Sequence, residues 1–140
     1  MSDSLSLGWS QSDARRKRDA YRRLLAVNLA LQSLLALIVL IYPSGLLSLL
    51  ALDGPGALPW ARVWAAMVLL ASAFQVPALL EPVNQRLPSV IGITGRFGMT
   101  ILYLCLGGGF LWLALFDGIF AVLLFMLFQR AILGELQTRP

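Results

Sequence analysis

From Leu24 to Ile41 the chain runs for eighteen residues without a single charged side chain. That is close to the roughly 20 residues a helix needs to cross about 30 Å of bilayer hydrocarbon. The run is too long for the about 7–15 residues of a signal-peptide core, and no small-x-small cleavage site follows it, so it reads as an uncleaved first span. The rest of the chain is in keeping with this. Fifty-nine per cent of its residues are apolar and 13% charged, against about 45–50% and about 25% in a soluble domain. A water-soluble fold of 140 residues has too little interior to hide that much apolar surface, and four spans with short turns use nearly all of the length.

The expected fold is therefore all-α, an integral membrane four-helix bundle running up-down-up-down. Residues 1–20 form a polar tail with a basic anchor, 21–135 the membrane domain and 136–140 a short end. Helix 1 covers about 21–42 and stops at Pro43, which cannot continue a helical ladder. Ser44 to Leu52 is too short to span and should form a short interfacial helix. Helix 2 covers about 59–80, with Pro77 kinking its far end. Two turns compete in the second half, Gly107-Gly108-Gly109 and Phe116-Asp117-Gly118. The turn at Asp117 is preferred, giving helices over 96–116 and 117–134, because a turn at the glycines drags Arg96 and Asp117 into hydrocarbon.

Six of the eleven basic residues (Arg15, Arg16, Lys17, Arg18, Arg22 and Arg23) precede the first apolar run. With the amino terminus inside, Arg86, Arg96, Arg130 and Arg139 join them and only Arg62 faces out, so both termini are expected to be cytoplasmic. The net charge of +4 thus suits an anionic membrane surface and is no sign of nucleic-acid binding. The preference for Arg over Lys points to a GC-rich bacterial genome and hence to the inner (cytoplasmic) membrane.

Histidine is absent and there is one cysteine, Cys105. The commonest ligand of haem, zinc and copper is missing, as is the usual general base near neutral pH. No carboxylate pair and no nucleotide-binding glycine loop compensates. The expectation is a chain that is not an enzyme and holds no cofactor through its own side chains.

Charges at membrane depth are candidates for function by default. Arg62 and Asp117 should both lie near the outer face, where an ion pair and simple snorkelling of Arg62 are equally acceptable readings. Gln75, Glu81, Arg96, Tyr103, Gln129 and Arg130 form either a polar pocket or an interfacial rim, and the rim is preferred because cytoplasmic helix ends normally carry such residues. Asn28 and Gln32, four apart on one helix face, and Thr100 should make polar contacts between helices.

Several short segments together bring out a resemblance: YPSGLLSLLAL after helix 1, WARVWAAM early in helix 2, TGRFG around Arg96 and FDGIF around Asp117. They resemble the DoxX-like group of small bacterial four-helix membrane proteins. That group includes small subunits of membrane oxidoreductase complexes, so the resemblance implies an accessory part in a larger assembly and no catalysis by this chain. The leading expectation is accordingly a structural or accessory subunit, embedded in the lipid bilayer and packed against a larger complex or against itself. The alternative is a binding or transport protein for a small lipophilic molecule such as a quinone, held near Arg96, Tyr103 and Gln75. That alternative needs a cavity that a chain of this size is hardly expected to enclose.

Overall fold

The computed structural model describes residues 2–82 and 84–136, with side chains from residue 11 onward. Six helices follow one another: α1 (Ser2–Ile41), α2 (Pro43–Leu50), α3 (Ala57–Phe74), α4 (Val76–Leu80), α5 (Arg86–Leu106) and α6 (Phe110–Leu136). Four of them, α1 from Gln11, α3, α5 and α6, are long and apolar enough to cross a membrane. Only 17–28% of each apolar window is buried inside the protein, and side chains such as Ile41, Phe74 and Leu87 are 70–81% exposed. Such a surface belongs in lipid, and the chain is a multi-pass membrane protein.

Between lipid-exposed helices apolar burial gives little driving force, so close packing of small residues has to hold them together. Ala36 of α1 meets Ala61 and Ala65 of α3 in one cluster, all three fully buried. A second cluster joins α1, α4, α5 and α6 through Tyr21, Leu25, Ala78, Ile93, Leu124 and Phe128, with the Tyr21 and Phe128 rings 5.4 Å apart. Helix α1 packs on both α3 and α6, and α5 packs on α6. Helices α3 and α5 thus flank the α1–α6 pair and leave a gap between them.

Residues 2–20, most of the expected polar tail, are helical and continuous with the first span in α1. Asp13 reaches Lys17 at 2.6 Å and Arg16 at 3.7 Å, one helical turn on. Gly134 of α6 lets the same stretch pack closely, since a Cβ there would sit 3.2 Å from Lys17 Cδ and 3.4 Å from the Ala14 Cα. Residues 137–140, most of the expected end segment, lie outside the described residues. The proline in the second span has a local effect. Pro77 offers no N–H to the Ala73 carbonyl, and the helix breaks at Gln75 into α3 and α4.

The preferred register of the second half is also overturned. Helix α5 spans 86–106, ten residues earlier than expected, and the turn falls at Gly107–Gly109. Gly107 and Gly108 have φ of 66° and 56°, a left-handed backbone that glycine adopts without strain. Gly109 is closer still to its neighbours: a Cβ there would lie 2.1 Å from the Leu49 carbonyl oxygen of α2. Pro88 is accommodated in the first turn of α5, where the N–H has no helical partner in any case. Asp117 and Gly118 continue inside α6, and Gly118 makes room for the Thr100 methyl of α5, 3.2 Å from where a Cβ would stand.

Candidate functional site

Because α5 begins at Arg86, Arg96 falls at its middle, and it is only 5% exposed. Its Nη1 donates to Asp117 Oδ1 of α6 at 2.9 Å, and its Nη2 donates to Gln32 Oε1 of α1. One guanidinium therefore ties three helices together. The expected Arg62–Asp117 pair does not form, and Arg62 is exposed on α3. Burial of both charges in this register is tolerable because a cation and a carboxylate neutralise each other at hydrogen-bond distance. The third guanidinium donor, Nε, is sealed from water and has no partner among the described residues.

This pair forms part of the wall of a cavity of about 580 Å³ in the gap between α3 and α5. The α3 wall carries Trp64, Met67, Val68, Ala71 and Phe74, and the α5 wall carries Pro88, Gly92, Gly95, Arg96, Met99 and Tyr103. Gln32 and Leu35 of α1 and Leu113, Phe116 and Asp117 of α6 also line it, as do Gln75, Leu87 and Ile91. Side chains bridge the gap at both ends. At one end Trp64 Nε1 donates to the Tyr103 hydroxyl at 3.0 Å, and Phe110 stacks on the Tyr103 ring with centroids 6.0 Å apart. At the other, the Gln75 amide lies over Gly92, where a Cβ would be 2.8 Å from Oε1. From Trp64 to Gln75 the α3 wall is roughly 16 Å long at about 1.5 Å per residue. The exposed faces of Met67, Phe74 and Ile91 at its edges make it a groove that opens sideways, toward lipid.

Three of the six residues grouped as a polar pocket thus come together: Gln75, Arg96 and Tyr103 line the groove. The other three do not. Gln129 and Arg130 are exposed on α6, and Glu81 is exposed beyond the end of α4, where it accepts a hydrogen bond from Asn84 at 3.1 Å. Gln32 bridges helices as described, but Thr100 turns back on its own helix, donating to the Arg96 carbonyl at 2.8 Å. Asn28 is fully buried, and neither its Nδ2 nor its Oδ1 has a partner among the described residues. Trp64, which bonds Tyr103 across the groove, was not among the candidate residues. Two stripes at helical spacing, 64-67-68-71-75 on α3 and 88-92-96-99-103 on α5, carry the signal that would have found the groove.

Among the described residues no three Cys, Asp or Glu side chains gather as metal ligands would. The chemistry available is binding: an apolar trough within the about 300–1,000 Å³ of small-molecule sites, with one polar cluster to orient a guest. Neither family profiles, nor curated proteins, nor solved structures contain a match to this chain.

Proposed function

We propose that this chain binds, and passes along the membrane or across it, a small lipophilic molecule with one polar end, such as a quinone. The observation that carries this reading is the groove itself: about 580 Å³ of mostly apolar space, open to lipid, with the buried Arg96–Asp117 pair in its wall. A chain that only filled space beside larger subunits would have no need of an arginine held by two other helices at membrane depth, because charges there are expensive. In this reading the four spans run up-down-up-down in a bacterial inner membrane with both termini cytoplasmic, and α2 lies at the outer interface. The arginine-rich start of α1 supports that orientation.

The accessory-subunit role keeps the support of the small size and of the DoxX-like segments, and one experiment separates the two. The chain is extracted from native membranes in mild detergent, run on a native gel, and its bound small molecules are identified by mass spectrometry. A lipophile retained by the wild type and lost from Ala71→Trp, which fills the groove from α3, is the expected result. Equal lipid content in both forms, with co-migration of larger subunits, would return the chain to the accessory role.

A further inference from the structure

We propose that the polar end of the guest is a neutral oxygen group, a carbonyl or a hydroxyl, and not an anion; this rests on the groove being the binding site. Arginine in a pocket ordinarily suggests a carboxylate or phosphate, gripped through two parallel N–H bonds. Here the guanidinium is already engaged and its charge balanced: Nη1 donates to Asp117 Oδ1 and Nη2 to Gln32 Oε1. Arg96 and Asp117 are the only charged residues in the lining, and they cancel. An anionic head would leave water for a site with no net positive charge and would lie beside the Asp117 carboxylate, which retains 19% side-chain exposure.

A neutral oxygen fits the same atoms. The Tyr103 hydroxyl accepts from Trp64, which leaves its own proton to donate. A hydroxyl guest can in turn donate to Asp117. The groove thus offers single hydrogen bonds to an uncharged head, and its aliphatic and methionine walls take the tail.

Trp64 lines the groove, so a bromine-bearing guest quenches its fluorescence. The full chain is reconstituted in bilayers and titrated with three brominated probes of equal chain length: a methyl ketone, an alcohol and a fatty-acid carboxylate. The signal of a Trp64→Phe protein is subtracted to remove quenching of the other tryptophans. The ketone and the alcohol should quench at about tenfold lower mole fraction than the carboxylate, a difference of about one factor of ten in affinity. In Asp117→Asn, which unbalances the guanidinium charge, the carboxylate should gain about tenfold. A carboxylate that matches or beats the neutral probes in the wild type overturns the assignment of the head while leaving the groove as a binding site, and this comparison stands even if Asp117→Asn does not fold. Unchanged carboxylate affinity in a folded Asp117→Asn overturns it too. If no probe quenches Trp64 more than the bilayer lipids do, the groove is not the site and both readings fall.

Discussion

Arg96 on α5 and Asp117 on α6 are joined at 2.9 Å across the interface of the two helices, with side-chain exposures of 5% and 19%. Each makes the other's position tolerable, since either charge alone at that depth would be costly. Arg96→Ala and Asp117→Ala should therefore each lower stability by about 3 kcal/mol, chiefly through the orphaned partner. The double mutant should lose at least about 1 kcal/mol less than the sum. Chemical unfolding in mixed micelles measures the cycle, and simple additivity would mean that the two charges do not depend on one another.

The turn between these helices depends on a close approach of backbones. A Cβ on Gly109 would lie 2.1 Å from the Leu49 carbonyl oxygen and 2.6 Å from the Leu50 Cα, and neither atom belongs to a flexible side chain that can swing away. Gly109→Ala should cost about 1–3 kcal/mol as α2 is pushed off the turn. Gly95→Ala, with nothing within 4 Å, is the control and should be neutral or stabilise α5 by up to about 1 kcal/mol. Equal effects of the two substitutions on thermal unfolding would show that α2 does not seat on Gly109.

Asn28 offers a test of opposite sign. Its amide is buried with both polar atoms unsatisfied among the described residues, and an apolar side chain of similar size removes that penalty. Asn28→Leu should leave stability unchanged or raise it by about 1–2 kcal/mol. A clear loss in the same assay would indicate that a bridging water or another polar group satisfies the amide.

Topology can be read without purification. With six of the eleven basic residues gathered just before the first apolar run, a reporter enzyme that matures only outside the cytoplasm should be silent when fused after Pro140. Activity comparable to a periplasmic control would reverse the proposed orientation of every helix.

The number and nature of the spans are local properties, and the sequence determined them. Each apolar run of about 20 residues carries its own signal whatever its neighbours do, and Pro43 and Pro77 mark breaks because the missing N–H acts within a single turn. Arg96, Tyr103 and Gln75 could be singled out from sequence as polar residues within or beside apolar spans, although Tyr103 and Gln75 lie at opposite ends of the groove. What only the tertiary structure decided was pairing. From sequence Asp117 was matched with Arg62; that it meets Arg96 instead follows from the turn at Gly107–Gly109 and from how α6 lies against α5. The close approach of Gly134 to Ala14 and Lys17 likewise depends on how α6 lies against α1. The stripes on α3 and α5 do not make the groove by themselves: it exists because α3 packs on α1 and α5 on α6, and the space left between two helices depends on how all four are arranged.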